Sequence, residues 1–325
     1  MATPVKAAKN ARSASAGAAL ITSRDNRWLK EFRLALRGGL QTESGCVGVE
    51  GVRLVEEALR SGCRIEAVLF SESGERHHER LAPLVGRPEM AFPVLRTTDR
   101  LFEGIADTEH PQGVAALVAP QGATLDDILR VPGEACSALL VVLAGVQDPG
   151  NVGTILRTAS AFGATGAVTT ASGQSGTASP FSPKALRASA GAALHLPILV
   201  GMSLPILLTQ LHVANVRTLA AVAHGRDASR DASVVVAQHA APRLGEMSAI
   251  TLAPWEVDWC EPVALLVGNE GAGLPEEVER SADARIRIPV ASGIESLNAA
   301  AAAAVLFYEA ARQRKSLPAR TERKP

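Results

Sequence analysis

No run of about 18 or more apolar residues occurs in this chain, so the sequence offers no segment for a membrane span. Its four cysteines, Cys46, Cys63, Cys136 and Cys260, lie far apart and form no CxxC pair. That spacing argues against a zinc site or a disulfide framework and fits reduced thiols in a cytoplasmic protein. A GxGxxG fingerprint is missing, which disfavours a nicotinamide cofactor. No internal repeat is evident. Net charge is absent too, since 33 basic residues balance 33 acidic ones.

What is present is apolar bulk and uneven charge. Apolar residues make up 47% of 325 residues, enough for two domains or one large one. Residues 1–37 carry eight Lys/Arg and two acids, net +6, and residues 311–325 carry six basic residues and one acid, net +5. Because the chain is neutral and its ends together carry +11, the middle carries −11. Basic ends on an acidic body suit contact with a polyanion, although solvated tails have the same composition. The first 20 residues are Ala/Ser-rich, basic and free of acids. They fit a disordered N-terminus better than an organellar transit peptide.

The pattern predicts five units: a disordered start at 1–21, a small α/β domain at 22–119, a linker at 120–136, a larger α/β domain at 137–315, and a basic tail at 316–325. In the first domain, Trp28, Leu29, Phe32, Leu34, Leu36 and Leu40 alternate with basic residues as in a basic amphipathic helix. Strands are expected at 46–50, 64–70, 92–95 and 113–118, and helices at 52–60, 78–84 and 98–104. In the linker, Thr124 can cap a short helix ending at Leu129.

In the second domain, Ala138–Ala144 is a near-continuous apolar run, the mark of a strand buried on both faces. Further strands are expected at 166–169, 196–200, 216–222, 263–267 and 284–289, with a short one near 248–252. Helices are expected at 152–162, 183–193, 204–212, 275–281 and 296–314. The class is α/β, with a mostly parallel sheet covered on both faces.

Three stretches follow apolar strands, at the strand ends where such sheets place their sites. The first is Asn151-Val-Gly-Thr-Ile-Leu-Arg157-Thr158. Here Asn151 suits a helix N-cap, Gly153 admits a close backbone, and Arg157 lies one and a half turns on. A capped helix with a solvated arginine fits the same residues. The second, Gly268-Asn-Glu-Gly-Ala-Gly-Leu274, is a glycine loop that allows close approach to a flat ligand, or forms a plain turn with Pro275 at helix position N1. The third is Ile288-Pro-Val-Ala-Ser-Gly-Ile-Glu-Ser-Leu-Asn298, which opens an alanine-rich helix.

In this order the three stretches resemble the motifs of the SpoU-type (TrmH-like) RNA ribose methyltransferases, a branch of the SPOUT superfamily. NxGxxxRT is met by Asn151, Gly153, Arg157 and Thr158. GxExxG is met by Gly268, Glu270 and Gly273. The third motif is met by Ile288, Pro289, Ser296, Leu297 and Asn298, with Val290 where the family usually has Met and a glycine at Gly293 after Ser292. The stretch Ser182-Pro-Lys-Ala-Leu-Arg-Ala-Ser-Ala-Gly191 is also similar to the family's segment between motifs.

The resemblance implies a C-terminal trefoil-knotted α/β domain that binds S-adenosylmethionine in a bent pose. Gly268, Ile288, Val290 and Leu297 would contact the cofactor. Arg157 would be the catalytic residue, with Asn151, Glu270, Ser296 and Asn298 positioning substrate, arginine and cofactor. A homodimer without metal is implied, and the small N-terminal domain is similar to a ribosomal-protein-type RNA-binding module ending near Asp107–Gly113. The implied reaction moves a methyl group to a ribose 2′-oxygen, on large-subunit rRNA in the first instance. A tRNA target, or a non-catalytic RNA-binding or ribosome-assembly protein on the same fold, are the alternatives. A guanidinium is a poor base. Arg157 would therefore act through the substrate phosphate or by transient deprotonation, and the sequence leaves both open.

Overall fold

The computed structural model describes residues 20–85, 92–130, 137–171, 176–223, 250–291, 294 and 296–315. The expectations for the first 19 residues, the basic tail, Ser248, Ser292 and Gly293 fall outside them. Among the described residues no helix is long and apolar enough to cross a membrane.

The first part of the chain runs β1 (Leu20–Ile21), α1 (Arg27–Leu36), β2 (Val47–Glu50), α2 (Val52–Arg60), β3 (Arg64–Ser71), α3 (His78–Val85), β4 (Val94–Thr97), α4 (Asp99–Glu103) and β5 (Val114–Ala119). Its strands form one mixed sheet in the order β1-β4-β3-β5-β2. The alternation predicted from sequence is present, and β1 is an addition. Two residues carry no periodicity, and β1 exists because Leu20 and Ile21 pair in parallel with Arg96 and Thr97. In α1 the apolar stripe Leu29, Phe32, Ala35 and Leu36 is buried, and the Asn26 side chain caps the helix by accepting from Trp28 N–H at 2.9 Å.

Helix α5 (Leu125–Leu129) follows, with Thr124 and Asp127 forming a capping box as the threonine suggested. Its Ile128 is fully buried against the second sheet, directly over Gly166, where an added Cβ would lie 2.5 Å from the isoleucine.

The second part runs β6 (Leu139–Ala144), α6 (Pro149–Ala161), β7 (Gly166–Thr170), α7 (Pro183–Ala188), β8 (Ile198–Met202), α8 (Leu204–Val213), β9 (Arg217–Ala221), β10 (Thr251–Leu252), β11 (Val263–Gly268), α9 (Glu276–Ser281), β12 (Ala284–Ile286) and α10 (Ala299–Lys315). Its seven strands lie in the order β10-β12-β9-β11-β6-β7-β8, and every pairing described is parallel. Alternation along β6 sends Leu139, Val141 and Leu143 to the face covered by α6, α7 and α10. Leu140, Val142 and Ala144 go to the face covered by α5, α8 and α9.

Several boundaries differ from the sequence reading. The helix expected from Val152 begins at Pro149, because proline is preorganised for the first helical position and drives the residue before it to an extended backbone. Asp148 is therefore the N-cap, and Asn151 sits inside the first turn. The helix expected over 183–193 stops at Ala188, because Ala190 and Gly191 take positive φ of 50° and 86°. β12 ends at Ile286, which leaves Ile288–Val290 in a loop. Helix α9 begins one residue after Pro275.

One apolar cluster runs through both parts, from Val55 and Phe70 to Leu186 and Leu194. Across this boundary Arg187 pairs with Asp107 at 2.7 Å, His195 meets Glu57 at 3.2 Å, and the Cys63 thiol donates to Leu194 O at 3.4 Å.

Candidate active site

β6 and β11 are adjacent and in register, so their carboxyl ends deliver two loops to the same edge of the sheet. The loop after β6 carries Asp148 at the N-cap of α6, where its carboxylate accepts from Gly150 N–H at 3.1 Å. One turn into the helix, the Asn151 side chain has no capping duty. Its amide donates to Glu270 Oε1 at 3.0 Å, and its carbonyl oxygen accepts from the Asn298 amide at 3.1 Å. Asn151 thus bridges two residues that lie 119 and 147 positions away.

Glu270 is held at three points. Besides Asn151, the backbone N–H groups of Gln147 and Asp148 donate to its two carboxylate oxygens, each at 3.1 Å. Partial burial pushes this carboxyl up, but the three donors outweigh burial and hold it below its ordinary range. Asp148 also lies below its ordinary range, chiefly through the Lys184 ammonium at 2.5 Å and then through Gly150 N–H. Two ionised carboxylates therefore flank Asn151.

Asn298 does two jobs. Its oxygen accepts from Ala300 N–H at 2.9 Å and Ala301 N–H at 3.2 Å, which caps α10, while its amide reaches Asn151. Ser296 and Leu297 precede the helix and line a cavity of about 310 Å³. Gly268, Glu270, Ile288 and Val290 line the same cavity. All four residues predicted to touch a cofactor are therefore in one wall system, together with Glu270 and Ser296. The cavity is within the size range of nucleotide-scale ligand pockets. Its walls combine exposed main chain of a glycine loop, apolar side chains and carboxylate groups. That set suits a flat heterocycle joined to a cationic centre, and so fits S-adenosylmethionine.

Gly268 has a second reason to be glycine beside the one its sequence suggested. A Cβ there would stand 2.4 Å from Gly273 C and Leu274 N, so the loop's own backbone excludes a side chain. Gly153 does admit a neighbouring backbone, since its Cβ would stand 2.2 Å from Ala185 O on α7.

Arg157 is not brought to the cluster. It is exposed on α6 and makes no hydrogen bond or ion pair among the described residues. It lies on the stripe with Gly150 and Gly153, against α7, while Asn151 points toward the loops.

Sequence reading missed Asn269. Its amide donates to Gly145 O at 3.0 Å and its oxygen accepts from Gly271 and Ala272 N–H at 2.9 Å, which ties the glycine loop to the loop after β6. An Asn shortly before a glycine marks an Asx turn, a signal that was available. The Asp148–Lys184 pair was also missed, and no local signal announces it.

The sequence profile of the SpoU rRNA Methylase family matches residues 138–308. That of the MRM3-like substrate binding domain matches residues 39–116. An uncharacterized tRNA/rRNA methyltransferase of Synechocystis is 32% identical over 296 residues, covering 91% of this chain and 94% of the relative. The 23S rRNA (guanosine(2553)-2′-O)-methyltransferase RlmP of Bacillus subtilis is 28% identical over 290 residues, covering 89% of this chain and 97% of the relative. Among solved structures, the AdoMet-bound rRNA methyltransferase of Sinorhizobium meliloti aligns with a TM-score of 0.70 and 28% identity, over 91% of this chain and 98% of that one.

Proposed function

The chain belongs to the SpoU rRNA Methylase family, and from that premise we propose that it is an S-adenosylmethionine-dependent ribose 2′-O-methyltransferase acting on large-subunit rRNA. The observation that carries this reading is the Glu270–Asn151–Asn298 chain of hydrogen bonds, which locks all three motif loops together beside one cavity. When bound, the cofactor supplies a methyl group already activated on a sulfonium. What remains for the protein is alignment and removal of the hydroxyl proton.

Gly268, Ile288, Val290 and Leu297 hold the cofactor, with the backbone of the glycine loop as the floor. Glu270, kept ionised, fixes Asn151 and so the start of α6. Ser296 and Asn298 set the opposite rim. Arg157, free of protein partners among the described residues, takes the substrate phosphate next to the target ribose and assists loss of the 2′-hydroxyl proton.

Residues 22–119 select the RNA, with the basic face of α1 as part of the contact, and the second domain carries the trefoil knot. The enzyme is a cytoplasmic homodimer through that domain. Ala301, Val305 and Tyr308 form a stripe on α10 whose last two members are 42% and 57% exposed, which supports a subunit contact. Ala300 and Ala303 are buried within their own subunit, so only part of the alanine run is available for it. The wording of the Synechocystis relative's name keeps tRNA as the second substrate.

The test is transfer of labelled methyl from S-adenosylmethionine to unmodified transcripts of large-subunit rRNA and of tRNA, followed by mapping of 2′-O-methyl ribose. Label on rRNA ribose is expected. Label on tRNA alone would move the substrate assignment, and label on neither would reject the reading.

A further inference from the structure

Beside the motif loops lies a cation that the reaction so far does not use. Lys184 stands in the first turn of α7, and its ammonium lies 2.5 Å from Asp148 Oδ1 while its side chain stays 61% exposed. The Asp148 N–H in turn donates to Glu270, so this ammonium is one residue removed from the hydrogen-bonded chain. An ammonium has three donors, and a single carboxylate partner leaves two for another acceptor. An exposed ion pair of this kind adds little to stability, so holding the fold is a poor account of its geometry.

Asp148 and Glu270 are both held ionised and are joined through the Asp148 N–H. A polyanionic substrate approaching them is repelled unless a cation stands in the way. Lys184 is the cation in contact with Asp148. Its Cε also lies 3.4 Å from where a Cβ on Gly150 would stand, and Ala188, one turn along α7, faces Gly153 in the same way. Gly150, Gly153 and Arg157 share one stripe of α6, so Lys184 and Arg157 lie along one seam between α6 and α7. About 10 Å of helix rise separates Arg157 from Gly150, which Lys184 faces.

We propose that Lys184 is a substrate-positioning residue, which takes a backbone phosphate of the RNA on the opposite side of the target nucleotide from Arg157. Asp148 holds the ammonium ready, and the incoming phosphate occupies its remaining donors. This assignment rests on the reading of the protein as an RNA methyltransferase.

The experiment measures binding of a fluorescein-labelled oligouridylate at several salt concentrations, with S-adenosylmethionine affinity by calorimetry as the control for folding. Lys184→Gln is expected to weaken RNA binding several-fold and to flatten the log–log salt slope by about 0.7. Lys184→Arg is expected to restore both. Cofactor affinity should hold in both. Wild-type RNA affinity and salt slope in Lys184→Gln, or failure of Lys184→Arg to restore them, overturns the proposal. Methyl transfer by the unmodified protein to an rRNA transcript reports separately on the parent reading, so the two can fail independently.

Discussion

In the parallel sheet, β6 and β11 are buried at every residue, whereas in the mixed sheet β4 leaves three of its four residues at least partly exposed. A sheet covered on both faces has only its strand ends left for chemistry. There the protein brings three loops together through single, directional hydrogen bonds. The mixed sheet instead carries a helix with a charged outer face. On α1 and at either end of it, Arg24, Arg27, Lys30 and Arg37 are exposed, with the Arg27 guanidinium 4.7 Å from the centre of the Trp28 ring. Arg24, Arg27 and Arg33 form no ion pair among the described residues. One region therefore works by geometry, where each hydrogen bond is irreplaceable. The other presents several separate cations, and on the proposed reading each is one of several contacts to RNA.

Replacing Arg157 with alanine should give the largest effect and mark the geometric extreme. Methyl transfer should fall by about 10²-fold or more, in line with loss of a single preorganised electrostatic group. Because the side chain is exposed and unpartnered among the described residues, melting temperature and cofactor affinity should not move. Wild-type turnover in this variant would remove Arg157 from the chemistry.

Next are the glycines. Gly153→Ala forces a Cβ to within 2.2 Å of a carbonyl oxygen and should destabilise by about 1–3 kcal/mol. Gly268→Ala should distort the loop and abolish cofactor binding. Gly122→Ala, with nothing within 4 Å of its Cβ, should leave both unchanged. Equal melting curves for the alanine variants at Gly153 and Gly122 would show that α6 and α7 can move apart at little cost.

Acid titration separates the regions more gently. Glu270 titrates below its ordinary value of 4.5 when folded, so its hydrogen bonds add stability that is complete above the unfolded value. That stability is lost as pH falls through the lower folded value. The difference in denaturation midpoint between the wild type and Glu270→Gln should therefore be present at neutral pH and vanish in acid. A difference that persists unchanged in acid would mean that the charge on Glu270 is not what binds the loops.

The smallest effects per residue belong to α1. Changing Arg24, Arg27, Lys30 and Arg33 together to glutamine should flatten the salt dependence of RNA binding by about 0.7 for each phosphate left without its cation, while cofactor affinity holds. A single dominant residue among the four would break the contrast between summed charge and geometry. Removing residues 1–120 is the harsher test. The apolar cluster shared by the two parts would be opened, with Leu54 and Cys63 stripped from Gly191 and Leu194, so the remaining domain should be less stable.

Much of the fold was legible because burial leaves a local trace. The unbroken run Leu139–Ala144 announced a strand covered on both faces, and Leu29, Phe32 and Leu36 announced a helix with one wet side. Strand limits slipped by two residues at Val94–Thr97 and Ile198–Met202, where the apolar run starts before pairing does and pairing continues through Thr97 and Met202. Resemblance of three motifs, in order, to the SpoU-type family pointed to the family and implied that Asn151, Glu270 and Asn298 belong to one site.

What the amino-acid order could not contain is which groups meet. Asn151 was expected to cap a helix, as its type favours. The tertiary structure gave that duty to Asp148 and turned Asn151 toward Glu270 and Asn298. Gly268 looked like room for a ligand, and the fold shows that it is also room for the backbone at Gly273. Lys184 came to rest on Asp148 with no pattern to foretell it. Periodicity records whether a residue faces core or water over a few neighbouring positions. Partners that arrive from separate strands are chosen only when the parallel sheet sets their carboxyl ends side by side, and that is a property of the pairing register rather than of any local stretch of chain.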